Sequence, residues 1–117
     1  MTDLSEKKCI PCKGNIPPFK LDEIHKYLKK IDGWNVKSNK EKNYFLEKEF
    51  KFKDFKNSQA FVNKVGEIAE NENHHPDILF GWGYTKIKIF THAIKGLAEN
   101  DFILAAKIDK VFNDYNV

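Results

Sequence analysis

The sequence predicts an α+β fold: a four-stranded antiparallel sheet with three helices packed on one face, in the order α-β-β-α-β-β-α. Three observations carry this. Apolar residues recur at helical spacing near the start, in the middle and at the end of the chain. The alternating stretches between them arrive in adjacent pairs, so antiparallel pairing is the natural connection. Their alternation is single-faced, which fits a sheet covered on one side only.

Each element has its own justification. "LDEIHKYLKKIDGW" sets Leu21, Ile24, Leu28 and Ile31 along one helical stripe. Asp22 and Glu23 suit its first turn and Lys29 and Lys30 its last, and Gly33 is placed to end it. His25 lies on this helix as an ordinary helix residue. "WNVK" reads as a short strand, "SNKEKN" as a turn and "YFLEKEFKF" as a longer strand. In the latter Tyr44, Leu46, Phe50 and Phe52 share a face opposite Glu47, Glu49 and Lys51. Lys48 interrupts the apolar face and is expected to snorkel or to sit near an edge. Asp54 is placed to cap the second helix, which carries Phe61, Val65, Ile68 and Ala69 on one side. Pro76 forbids that helix to continue and pushes His75 into extended geometry. "DILF" is the third strand, "GWG" a loop and "YTKIKIFT" the fourth strand, with Ile87, Ile89 and Thr91 opposite Lys86, Lys88 and Phe90. "HAIKGLAEN" reads as a loop. The last helix, "DFILAAKIDKVFNDY", lines up Leu104, Ile108, Val111 and Tyr115.

Residues 1–18 are polar and end in Pro17-Pro18, which predicts an extended N-terminal arm, with one domain over 19–117. Hydrophobic residues make up 41% and charged residues 32%, enough apolar bulk for a core. The net charge of +3 is mild and the lysines are interleaved with acids, so no nucleic-acid footprint stands out. No apolar run nears the roughly 20 residues of a membrane span, and the N-terminus has no signal-peptide core. Cys9 and Cys12 form a lone C-x-x-C, half of what a structural zinc site needs and not set at a helix start after a strand. They read as free thiols in a reducing cytoplasm.

The chemistry concentrates in "AENENHHPDILFGWGYTKIKIFTH". His74 and His75 stand at a helix-to-strand corner, and His92 closes the following strand pair. Antiparallel pairing of those strands returns His92 toward the other two. Glu70 precedes His74 by four residues, so a continuous helix would put both on one face. Asp101 opens the last helix, where the dipole favours a carboxylate. A carboxylate beside an imidazole fixes its tautomer and raises its basicity, so the set suits acid–base chemistry near neutral pH. Unrelated surface histidines and a three-imidazole zinc site are the rival readings. Vicinal histidines are an unusual chelating pair.

"AENENHHPDI", then "THAIKGL" and "NDFILAAKID", resembles the pterin-4a-carbinolamine dehydratases, the dimerization cofactor family. The likeness extends through Gly33-Trp34, "FKFKDF", "AFVNKVGEIAE" and the N-terminal "CIPCKG". It implies a hydro-lyase that removes water from a 4a-hydroxytetrahydropterin to give the quinonoid dihydropterin, in tetrahydropterin (tetrahydrobiopterin) recycling. It also implies work without metal or organic cofactor, in homodimers or homotetramers. The family's active-site histidines fall on His74, His75 and His92, its acids on Glu70 and Asp101. Asn73, Thr91 and Ala93 flank the histidines as substrate-binding positions. On this resemblance His74 and His92 share the acid and base roles, and His75 lines and orients the pterin. Glu70 then orients His74, and Asp101 holds His92 or its loop. Trp34 and Trp82 are expected to pack in the core or rim. Ala98 stands where many members carry Ser or Thr, removing a helix cap worth on the order of 1 kcal/mol. A non-catalytic, dimer-stabilising module of the same fold and a role in molybdopterin metabolism are the alternatives.

Overall fold

Antiparallel ladders organise the molecule. The computed structural model describes residues 4–7 and 17–115. Its elements are α1 (Leu21–Leu28), β1 (Asn35–Ser38), β2 (Tyr44–Lys51), α2 (Phe55–Glu72), β3 (Asp77–Gly81), β4 (Tyr84–Ile89) and α3 (Glu99–Tyr115). This is the expected α-β-β-α-β-β-α order. The strands lie side by side as β1-β2-β4-β3, every neighbour antiparallel.

Register decides which residues meet the helices. Leu46 pairs with Ile89, Phe50 with Thr85, and Ile78 with Ile87, so period-two alternation turns these side chains to one face. Leu46, Phe50, Ile87 and Ile89 are buried there. The other face carries Glu47 opposite Lys88 and Glu49 opposite Lys86, opposite charges in cross-strand pairs. Between β3 and β4 only Trp82 and Gly83 intervene, and Gly83 adopts φ +81, the left-handed geometry a two-residue turn of this kind requires.

The helices close over the apolar face. Phe61 and Val65 from α2, Phe102, Leu104 and Ile108 from α3, and Ile24 from α1 are fully buried. Phe50 and Phe61 rings lie 4.9 Å apart, and Phe112 reaches each of them at 4.9 and 5.7 Å. Burying each such side chain contributes about 1.5–3 kcal/mol. α2 starts as its sequence signal says: the Asp54 carboxylate accepts from the Asn57 amide at 2.9 Å.

Several details differ from the sequence reading. α1 ends at Leu28, not near Gly33. Beyond it the bonds Lys30 N to Tyr27 O and Ile31 N to Leu28 O span three residues, so the chain tightens out of α geometry. Lys29 and Lys30 therefore follow the helix. Gly33, at φ +77, redirects the chain into β1. Leu21 is 45% exposed, leaving Ile24 as the buried anchor. Lys48 does sit near an edge, one residue past the end of the β1–β2 ladder, and there its ammonium donates to Asp109 Oδ1 at 2.8 Å and to the Asp32 carbonyl at 2.6 Å. Trp34 is buried and donates its indole N–H to the same Asp109 carboxylate. Burial pushes the Asp109 carboxyl above its usual range, against the opposing pull of Lys48 and Trp34. Trp82, expected to pack, stands 72% exposed at the β3–β4 turn, because a turn position has no sheet neighbour to cover it. The last helix begins at Glu99, and the preceding loop holds a 3-10 turn, His92–Ile94.

In the predicted arm, Leu4–Glu6 form a 3-10 turn rather than extended chain, and Leu4 is buried. The turn docks on α3, where Lys107 donates to the Ser5 carbonyl and Lys7 reaches Glu99. Cys9 and Cys12 lie outside the described residues.

Candidate active site

The corner after α2 is built by its last residues. Asn73 takes φ 51, a left-handed conformation that asparagine tolerates better than most residues. The Asn73 amide bonds the Glu70 carbonyl at 3.3 Å and the His74 amide the Ala69 carbonyl at 3.1 Å. This paired closure satisfies the final carbonyls of α2 and reverses the chain. His74 is therefore outside the helix, and the four-residue spacing that would set it beside Glu70 does not apply.

His74 instead points to α3. Its Nε2 lies 2.7 Å from Asp101 Oδ1, with the imidazole side chain 14% exposed and the carboxylate fully buried. Asp101 Oδ2 accepts from the Thr91 hydroxyl and from the Ala98 amide, each at 2.8 Å. A buried carboxylate is expensive unless its oxygens are satisfied, and here three donors converge on it. The Ala98 contact is half of a capping box, in which a carboxylate in the first helical turn reaches back to the cap amide. Ala98 thus lacks a capping hydroxyl while Asp101 remains held. Since Nε2–H donates to the carboxylate, Nδ1 is left as the free acceptor of the neutral ring.

His92 follows Thr91 directly. The loop that presents it is pinned by Thr91 N to Gly96 O at 2.9 Å and Gly96 N to Thr91 O at 3.4 Å. Gly96 admits Pro18 so closely that a Cβ there would sit 2.7 Å from the proline ring. Phe19 N then bonds the Leu97 carbonyl at 2.7 Å, and its ring stacks on Tyr27 and Phe102. The His92 side chain is exposed and lies against Phe90, ring centroids 4.2 Å apart. Sequence reasoning missed Phe90. The signal was available, because residues two apart on leaving a strand face the same way.

His75 turns elsewhere. Its Nε2 is 3.4 Å from Glu70 Oε2, both side chains well exposed. The two line a groove of about 660 Å³ between α2 and β3, together with Gly66, Ala69, Pro76 and Ile78. The carboxylate pairing is thus the reverse of the expectation for Glu70: it meets His75, while Asp101 takes His74. Asp101 does hold the loop that carries His92, through Thr91 before it and Ala98 after it. Thr91 itself is 4% exposed, so its hydroxyl faces Asp101 rather than an open cleft. Asn73 serves α2 by its backbone, and Ala93 is exposed on the 3-10 turn beside His92. Among the described residues, no group of three or more His, Cys, Asp or Glu side chains is arranged to hold a metal ion. No described helix is long and apolar enough to cross a membrane.

Comparison with known proteins adds to this geometry. Residues 17–111 match the family model described as Pterin 4 alpha carbinolamine dehydratase. A protein of Rubrobacter xylanophilus, provisionally named a pterin-4-alpha-carbinolamine dehydratase, is 47% identical over 111 residues, covering 95% of this chain and 100% of its own. One from Alkaliphilus metalliredigens, named likewise, is 49% identical over 94% of this chain and 96% of its own. Among solved structures, a transcriptional coactivator/pterin dehydratase from Brucella melitensis superposes with a TM-score of 0.73 at 26% identity, covering 80% of this chain and 97% of that one.

Proposed function

The chain belongs to the pterin 4 alpha carbinolamine dehydratase family, and from that premise we propose that it is a hydro-lyase acting on 4a-hydroxytetrahydropterins by histidine acid–base catalysis. In the reaction the C4a–O bond breaks, the 4a-hydroxyl leaves as water, the N5 proton is lost and a C4a=N5 double bond forms. One group must protonate the departing oxygen and another must take the N5 proton.

The observation that carries the reading is the His74–Asp101 contact at 2.7 Å, with Asp101 secured by two further donors. A buried carboxylate on Nε2 stabilises the imidazolium that forms when Nδ1 accepts a proton, so His74 is assigned the base. His92, exposed at the end of β4 and backed by Phe90, is assigned the acid. His75, with Glu70 behind it, lines and orients the pterin from the neighbouring groove. Asn73 and Ala93, chain neighbours of His74 and His92, are read as further pterin contacts.

Residues 19–117 are read as one catalytic domain, acting in the cytoplasm as a homodimer or homotetramer in tetrahydropterin recycling, without metal or organic cofactor. The test is stopped-flow dehydration of a synthetic 4a-hydroxytetrahydropterin by the purified protein, with and without EDTA. Acceleration over buffer that EDTA leaves intact is expected. A rate equal to buffer would refute the assignment, and loss of rate in EDTA would refute its metal-free chemistry.

A further inference from the structure

Thr91 has the wrong surroundings for a residue that touches substrate. It is 4% exposed, and its one hydroxyl proton is directed to Asp101 Oδ2 at 2.8 Å. We infer that Thr91 is a positioning residue, which sets the plane of the Asp101 carboxylate and through it the tautomer and aim of His74.

The geometry supplies the reason. The terminal torsion of an aspartate is broad, so nothing intrinsic to Asp101 decides which oxygen faces His74. Two donors, Thr91 Oγ1 and Ala98 N, both meet Oδ2. They fix that oxygen from separate chain segments and leave Oδ1 to Nε2 of His74. With the Thr91 hydroxyl gone, Oδ2 keeps one donor and the carboxylate can rotate about it. Thr91 is well suited to resist this. Its β-branched side chain restricts χ1, and two backbone bonds to Gly96 clamp its main chain. The same residue begins the turn that presents His92, so one position governs both histidines assigned to proton transfer.

This inference rests on the reading of His74 as the proton-transfer group, but its primary test does not. In the full-length protein labelled with ¹⁵N-histidine, neutral His74 should show the Nε2–H tautomer, with Nδ1 unprotonated. Thr91→Val removes the hydroxyl at nearly constant volume and should mix the two tautomers. It should also lower kcat roughly tenfold, as expected for loss of one hydrogen bond to a charged group, with KM changed less than twofold. Thr91→Ser should restore both the spectrum and the rate. A Thr91→Val protein with the wild-type His74 spectrum overturns the inference, and so does a loss confined to KM, which would mark a substrate contact. Should Thr91→Val fail to fold, the wild type decides: the Thr91 hydroxyl proton should exchange slowly enough to give its own NMR signal, and averaging with water overturns the proposal. If His74→Ala kept full activity, the catalytic reading would fail while the tautomer experiment still tested Thr91.

Discussion

Replacing Asp101 with Asn probes the site with the least change in shape. The side chain keeps its volume but exchanges one acceptor oxygen for an NH₂ group. Two donors, the Thr91 hydroxyl and the Ala98 amide, converge on Oδ2, and one, His74 Nε2–H, on Oδ1. Counting donors fixes the amide orientation. Its oxygen must stay with Thr91 and Ala98, since the reverse would leave two buried donors facing a third. The NH₂ then meets His74, and the imidazole can accept it only by moving its own proton to Nδ1. That places the proton on the atom assigned to act as base. The lost interaction is a charge-assisted hydrogen bond, about 1.5–3 kcal/mol, so kcat should fall roughly 10- to 150-fold. The folding cost should be smaller, about 0.3–1 kcal/mol for a charge removed from a helix N-terminus. Stopped-flow dehydration beside thermal denaturation separates the two effects. An Asp101→Asn protein that is folded and turns over within twofold of wild type would refute the dyad. Asp101→Ala is the poorer probe, because it leaves all three donors buried without acceptors.

The remaining predictions concern stability and spectroscopy. Asp109→Ala should destabilise the fold by roughly 3 kcal/mol in urea denaturation, because it leaves the largely buried Lys48 side chain with only the Asp32 carbonyl for its charge and the Trp34 indole N–H without its acceptor. Lys48→Met combined with Asp109→Leu should recover part of that loss. The Asn57 amide holds the Asp54 carboxyl below its usual range, so the folded pKa lies under the unfolded one. Its stabilisation is then full above the ordinary aspartate pKa and fades as pH falls through the lowered value. The melting-temperature gap between wild type and Asp54→Ala should accordingly close in acid; a gap unchanged at low pH would contradict the cap. Trp82→Phe should leave stability within about 0.5 kcal/mol and shift the remaining fluorescence, from buried Trp34, to the blue. An unshifted spectrum would mean that Trp82 is covered in solution.

Element order and sheet class were legible because local patterns carry them. Alternation in β2 and β4, the Asp54 cap and Pro76 each act within a few residues. The end of α1 was not, since Leu28 and Ile31 keep helical spacing while the backbone tightens between them. The edge position of Lys48 was legible but its partner was not: Asp109 lies 61 residues away, and no local pattern joins them. The site divides the same way. Its histidines and acids could be selected from their types and positions, but the pairing of carboxylate to imidazole could not. That pairing depends on the left-handed Asn73, which takes His74 off the helix axis, and on the approach of α3 from the far end of the chain.

The most direct measurement is single-turnover dehydration of a 4a-hydroxytetrahydropterin by wild type, His74→Ala and His92→Ala, with pterin affinity measured on the same preparations. The account predicts that each variant loses most of the rate acceleration while binding a pterin product or analogue within a few-fold of wild type. Full turnover by folded His74→Ala would contradict it.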